Sequence, residues 1–299
     1  MNKDFISDQF QELQLKIVAE LEGIDGKVTF KTDLWDREEG GGGKTKTAVN
    51  GEVIEKGGVA FSAVFGDVSD IMKKQLNLDG DIFFATGVSI VLHPKHPFVP
   101  IIHMNVRYFE LNDGTYWFGG GIDLTPHYID DNLAKHFHIR LKEICDKYSN
   151  AFYPLFKKQA DDYFFIPHRN ETRGIGGIFY DHLDEKCGIS KESLLNFCIE
   201  LGSSFPSIYA EQIKNGLSMP FDNKNIAWRN HRRGRYVEFN LVNDRGTKFG
   251  LFSDGRAESI LMSLPPYAEW TYCHEIEPNS NEDITQRKLK KGISWIEEG

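Results

Sequence analysis

The chain has 299 residues, 40 % of them hydrophobic, enough to bury a sizeable core. Its formal charge of −9 at pH 7 argues against nucleic acid as a partner, because neutralising phosphates needs a basic surface. No stretch reaches the roughly 20 apolar residues of a membrane span, and the start MNKDFISDQFQELQ is too polar for a secretory signal, so a cytoplasmic protein without stable membrane insertion is expected. Cys145, Cys187, Cys198 and Cys273 make no CxxC pair and read as reduced and structural.

In chain order, Phe10, Leu13, Ile17, Leu21 and Ile24 recur at three- and four-residue spacing, so 5–22 reads as an amphipathic helix that packs on a sheet; it forms most of an N-terminal helical segment, 1–25. EEGGGGKTK at 38–46 imitates a phosphate loop, but GxxxxGK[ST] needs Gly where Glu38 stands, and the run reads as a mobile surface loop, a linker or a flap. From 81 to 122 three β-branched and aromatic runs, DIFFATGVSIVLHP, IIHMNVRYFEL and TYWFGGGIDL, predict three consecutive antiparallel strands. Helical spacing returns at 130–162 and 190–215. RGRYVEFNLVNDRGTKFGLF, 234–252, reads as a hairpin turning at Asn243-Asp244-Arg245-Gly246, and 278–299 as a charged peripheral tail. Without β-then-α alternation, the expected class is α+β: one domain, 1–299, with a large, mostly antiparallel sheet covered by helices on both faces. Aromatic residues make up 13 % of the chain, with 22 Phe, which suits such a core and a pocket for a flat, apolar ligand.

The period of two in IIHMNVRYFEL places His103, Asn105 and Arg107 on one strand face, with Ile102, Met104, Val106 and Tyr108 on the other. The polar face is either a platform for an anionic ligand or simply the solvent side of an antiparallel strand. GVSIVLHP puts Ser89, Val91 and His93 on one face, and the short link PKHPFVP could bring His93 beside His103. His136 and His138 lie two apart in a helical stretch, about 200° around the axis, so at most one can face a shared site. With no HExxH signature, hydrogen-bonding or proton-carrying histidines outweigh metal ligands on pattern alone. HRNETRGIGGIFYDHL sets His168, Arg169 and Arg173 ahead of Gly174, Gly176 and Gly177; the arginines flanking Glu171 read as a surface ion-pair patch or, given glycines that admit close approach, as part of a ligand site. Arg229, Arg232, Arg233, Arg235, Arg245 and Arg256 concentrate positive charge beside aromatic stretches of an acidic protein. Such focusing suits a polyanionic, partly apolar substrate, such as propionates on a pyrrolic skeleton.

These residues lie in runs that closely resemble the oxygen-dependent coproporphyrinogen III oxidases: WDREEGGGGKT, GVSIVLHPKHPFVPIIHMNVRYF, YWFGGGIDLTPHY, DDYFFIPHRNETRGIGGIFYDHL, RRGRYVEFNLVNDRGTKFGL and GRAESILMSLPP, from about Phe30 to Tyr272. The resemblance implies a homodimer whose subunit is a large antiparallel sheet between helical layers. It implies conversion of two propionates of coproporphyrinogen III to vinyl groups, giving protoporphyrinogen IX, with O₂ consumed, CO₂ and hydrogen peroxide released, and no flavin, haem or nicotinamide. Carried over by motif, Ser89, Asn105, Val106, Arg107, Asp254, Gly255 and Arg256 match substrate-binding positions, and His103 matches a proton donor. His93, His103, His138 and His168 match positions that hold a divalent metal, manganese, in bacterial members. Arg235 matches an arginine that meets a substrate carboxylate. Members commonly carry two adjacent aspartates where this chain has Asp181-His182, which leaves Asp181 as the surviving carboxylate to face the pyrrole nitrogens or, if the second position is the functional one, His182 or another acid in its place, with Asp123 in reserve; Ala60 stands where Asn is usual. His168, Arg169 and Arg173 would read carboxylates or brace the dimer. Two rival readings are a metal-dependent propionate decarboxylase, active without O₂, and a tetrapyrrole-binding protein without turnover.

Overall fold

The computed structural model describes residues 1–69, 73, 80–252 and 256–296. Helix α1 (Lys3–Asp25) starts where the Asn2 side chain accepts the Phe5 N–H and stops at Gly26, whose φ of +74° suits a residue without Cβ. Its buried stripe, Ile6, Phe10, Leu13, Ile17 and Leu21, lies against the sheet as its spacing predicts.

Seven antiparallel strands make that sheet. They are β1 (Lys31–Asp36), β2 (Gly41–Val49), β3 (Ile54–Asp67), β4 (Ile82–Pro94), β5 (Ile101–Leu111), β6 (Tyr116–Thr125) and, after a small β7 (Phe165–Ile166) and β8 (Glu171–Thr172) ribbon, β9 (Gly177–Leu183). The spatial order is β1-β2-β3-β4-β5-β6-β9. One face carries Val59, Phe61, Val88, Ile90, Leu92, Ile102, Met104, Val106, Tyr108, Phe118, Ile122 and Tyr180, all buried in the main core. Helices α1, α2 (Asp131–Asp146), α3 (Phe152–Tyr163) and α4 (Lys191–Leu217) cover it. Each such aliphatic or aromatic side chain contributes about 1.5–3 kcal/mol on burial, which makes this face the main stabilising layer.

Among the described residues, helices cover the second face over one end, while at the other end Phe83, Phe109, Leu111 and Trp117 form a small buried cluster of their own. Helix α5 (Asn223–Glu238) sets Tyr236 against Val91 and Ile101, and Arg233 donates from Nη2 to the Pro94 carbonyl at 2.7 Å. After a π-helical turn (Phe239–Asn243), α6 (Arg245–Phe252) and α7 (Ala257–Leu261) follow. The Met262 side chain then sits over Gly58, and the Ser263 carbonyl accepts from His93 Nε2 at 2.8 Å. Ser62, Ser89, Asn105 and Arg107, in the middle of that face, remain half-exposed.

Three expectations fail here. The 234–252 hairpin is helical instead: α5 is nucleated by a capping box in which Asp222 accepts from Asn225 N–H and the Asn225 side chain accepts from Asp222 N–H, and its residues 231–236 are all buried rather than alternating. The glycine run is not a loop, because Gly41–Gly43 open β2, all three in register with β3 and Gly42 and Gly43 with β1 as well. A Cβ at Gly43 would collide with the Trp35 indole, so glycine is what lets that ring lie across the strand. The charged tail is anchored rather than peripheral. It contains α8 (Asn281–Lys288), a buried Leu289 and Trp295, which packs on the main core and stacks on His138 with centroids 6.3 Å apart.

Candidate active site

The antiparallel register builds a trough floor on the open face. Ser89 lies opposite Asn105, Gly87 opposite Arg107, and Arg107 opposite Gly119. A Cβ on Gly119 would stand 2.7 Å from Arg107 Nε and 2.9 Å from Asp181 Oδ1, so the missing side chain lets the guanidinium cross β6 to reach β9. There Arg107 Nη2 pairs with Asp181 Oδ1 at 3.0 Å. Burial works against ionisation of Asp181, but the Arg107 charge, its hydrogen bond and the His182 N–H hold the carboxyl below its ordinary range. The pair is partly exposed, so it is an anionic and a cationic group held ready at one point. Asn105 Oδ1 is buried without a hydrogen-bond partner among the described residues, an acceptor awaiting a donor from the trough.

At the covered end of the floor, His103 donates or accepts through Nδ1 at 2.8 Å from Asp123 Oδ1. Asp123 is 1 % exposed and also receives Arg173, Nη2 to Oδ1 at 2.6 Å and Nε to Oδ2 at 3.1 Å. Despite burial, the Arg173 charge and His103 keep Asp123 ionised below its ordinary range. Arg173 lies over the rings of Phe164, Tyr236 and Phe239 at 4.5, 4.6 and 4.6 Å and donates from Nη1 to Asn240 Oδ1 at 2.7 Å. The far wall is Tyr163, stacked on Phe179 at 4.2 Å and donating its hydroxyl to Asp244 at 2.6 Å, with Arg245 over its ring at 5.0 Å. On the β1 side Arg256 pairs with Asp33 at 2.6 Å.

Of the expected site residues, the structure gathers Ser89, Asn105, Arg107, Asp181 and His103 on this one face. Val106 points into the opposite core, so only its backbone belongs to the floor. Asp254 and Gly255 lie outside the described residues. Arg235 is not part of the trough: it donates to Glu238 at 2.9 Å and contacts His231 at 3.3 Å. Glu238 also takes His168 Nε2 at 2.9 Å, Arg169 at 2.7 Å and the Trp270 indole N–H at 2.9 Å. His168 and Arg169 are thus engaged in that knot, and Arg173 with Asp123, rather than on the trough floor. Asp123 likewise does not front the trough as the reserve acid, since it is 1 % exposed behind His103 and Arg173. The glycines after Arg173 admit a strand rather than a ligand, as a Cβ at Gly174 would meet the β6 carbonyl of Leu124.

The four histidines do not fit one metal shell. His138 is buried under the opposite, helix-covered face with Nδ1 on Tyr153 Oη and Nε2 on the Ile175 carbonyl, both 3.0 Å away, leaving no free lone pair. His93, His103 and His168 each engage one ring nitrogen, with the Ser263 carbonyl, Asp123 and Glu238, and none of them shares a face with His138. Among the described residues no three His, Cys, Asp or Glu side chains stand as a metal cluster. The sequence missed Asp244 by placing it in a turn, and missed the Asp123–Arg173 contact because 50 residues separate partners that no periodicity links.

An antiparallel sheet with helices on both faces defines an α+β protein, and its half-open side presents a guanidinium, a carboxylate, an amide and a solvent-reaching imidazole, groups of the kind enzymes use. The profile of the coproporphyrinogen III oxidase family matches residues 5–295, and the chain belongs to that family. It is 46 % identical to the human mitochondrial oxygen-dependent coproporphyrinogen-III oxidase, over 95 % of this chain and 65 % of the human one. The Drosophila melanogaster oxygen-dependent coproporphyrinogen-III oxidase is 45 % identical, over 89 % and 71 %, and the chloroplastic one of Glycine max 46 %, over 91 % and 74 %. The chain thus spans about two thirds to three quarters of the length of these relatives.

Proposed function

We propose that the chain is an oxygen-dependent coproporphyrinogen III oxidase, converting two substrate propionates to vinyl groups. Family membership supports the reaction; the observation that carries the site is the Arg107–Asp181 pair reaching across Gly119 on the half-open floor. Per propionate, the side chain loses CO₂ and two electrons, and O₂ accepts those electrons with the side-chain proton and one from solvent to leave as hydrogen peroxide. An electron-rich pyrrole can react with O₂ once its N–H is polarised, which leaves the protein to orient and to move protons. Asp181 and the unpartnered Asn105 Oδ1 are the acceptors for pyrrole N–H groups. Arg107 and Arg256 hold carboxylates that are not reacting, together with Ser89. His103 carries protons at the covered end, where burial strengthens each interaction. The homodimer implied by the family belongs to the same proposal, with exposed Tyr267, Trp270 and Tyr272 as an apolar surface for it.

Purified chain incubated with coproporphyrinogen III, with and without O₂ and with and without a chelator, tests the reading. Protoporphyrin fluorescence after oxidation of the product is expected only with O₂ and unchanged by chelator. Product without O₂ would replace this function with a decarboxylase that needs another electron acceptor; binding without product in either gas would leave a tetrapyrrole carrier.

A further inference from the structure

We infer that Asp123 and Arg173 form a positioning pair that locks His103 in one tautomer, with Nδ1 protonated and the Nε2 lone pair turned to the trough. The inference rests on the reading of His103 as proton carrier and adds what sets the direction of its proton. It follows from donor and acceptor accounting. A carboxylate offers only lone pairs, and Arg173 can only donate, so the anion at Asp123 accepts from everything around it. His103 Nδ1, 2.8 Å from Oδ1, must then be the donor, and a neutral imidazole has no second N–H to give. Nε2 has no protein partner among the described residues and is not buried, so it is the atom left for substrate or solvent.

Arg173 is what makes the lock one-way. A carboxyl 1 % exposed beside a single imidazole could take a proton and become a donor itself, which would let the ring adopt either tautomer. The guanidinium touches both oxygens and cannot be deprotonated, so that escape is closed. Its own place is fixed by the Phe164, Tyr236 and Phe239 rings and by Asn240, which come from α3's C-terminal end and from α5 with its π-helical turn. The helices over the covered end therefore reach the proton carrier through one buried salt bridge. A purely structural pair would pin β6 to the segment before β9 and leave the His103 ring free to choose.

The test reads the tautomer directly. In protein labelled with ¹⁵N-histidine, a long-range ¹H–¹⁵N spectrum at a pH where His103 is neutral, assigned with His103→Gln, is expected to show the Nδ1–H pattern. Because Asp123→Asn alone strands a buried guanidinium, the variant is Asp123→Asn with Arg173→Gln, its folded fraction read by circular dichroism. It should shift His103 toward Nε2–H and lower kcat per folded molecule by about 100-fold, the lower range for a proton-transfer catalyst, with KM within about threefold. A wild-type Nε2–H pattern, or a variant that loses stability yet keeps kcat per folded molecule, overturns the inference. If the wild-type chain gives no product from coproporphyrinogen III, the proposed function fails, and the tautomer spectrum still decides the lock by itself.

Discussion

Gly119 decides whether Arg107 and Asp181 can meet, and one methyl group tests it. Gly119→Ala should displace the guanidinium and raise KM for coproporphyrinogen III about tenfold, roughly 1.4 kcal/mol of binding, with a melting temperature close to wild type. An unchanged KM would detach the pair from the ligand. His138 gives the opposite case. Burial and the neighbouring Lys157 charge push it down to about 3, against the help of its Ile175 bond, so the folded protein keeps it neutral where the unfolded chain would protonate it. Stability from this group is therefore whole above about pH 6.5, the unpaired value, and declines as pH falls from there toward 3. His138→Phe should remove that acid sensitivity, cost about 1–3 kcal/mol for the stranded Tyr153 and Ile175 groups, and spare turnover, as melting curves against pH and assays would show. At this scale the sequence was legible wherever a period of two applied: His103, Asn105 and Arg107 share a face as their alternation says. It was silent on Asp123–Arg173 and on the two engaged nitrogens of His138, because such contacts depend on which distant segments the fold brings together.

Helix α5 shows why an element can be misread. Its buried set is Trp228, Arg229, His231, Arg232, Arg233, Gly234, Arg235 and Tyr236, and arginines that read as polar hide a helix buried all round over 231–236. They are buried because each has a carboxylate: Arg232 has Glu171 at 2.9 Å, Arg233 has Glu55 at 2.7 Å and Arg235 has Glu238 at 2.9 Å. Removing one partner leaves a buried charge, so Glu55→Ala should cost about 3–5 kcal/mol in denaturant unfolding, far more than an exposed pair. A loss below about 1 kcal/mol would mean water reaches Arg233. Glu238 is held near 2: burial opposes this, and donors from Arg169 and His168 with the Arg235 charge outweigh it. A depressed acid stabilises above its unfolded value, here about 4.5, and that stability is lost as pH falls toward 2. The strands of 81–122 and the helices of 130–162 and 190–215 were legible because their apolar residues follow one period each. The β2 glycines were not, since they answer to the Trp35 ring from a neighbouring strand.

Across the whole molecule, the two sheet faces divide the work. One is sealed by α1 to α4 and holds most of the core; the other is covered at one end and half-open in the middle, where Ser89, Asn105, Arg107 and Asp181 stand. The α+β class was legible from the absence of β-then-α alternation, while the helical cover at one end was not, because it depends on α5 to α7 and the Ser263 carbonyl lying over the His93 end. The central claim is that this open face binds the tetrapyrrole. Titration of wild type, Arg107→Ala and the distal control His138→Phe with coproporphyrin III, the unreactive oxidised form, followed by quenching of tryptophan fluorescence, tests it most directly. The account predicts a Kd raised tenfold or more in Arg107→Ala and unchanged in His138→Phe, roughly 1.4 kcal/mol or more for the lost charge-assisted contact. Equal Kd for wild type and Arg107→Ala, with both folded, would contradict it and move the binding site off this face.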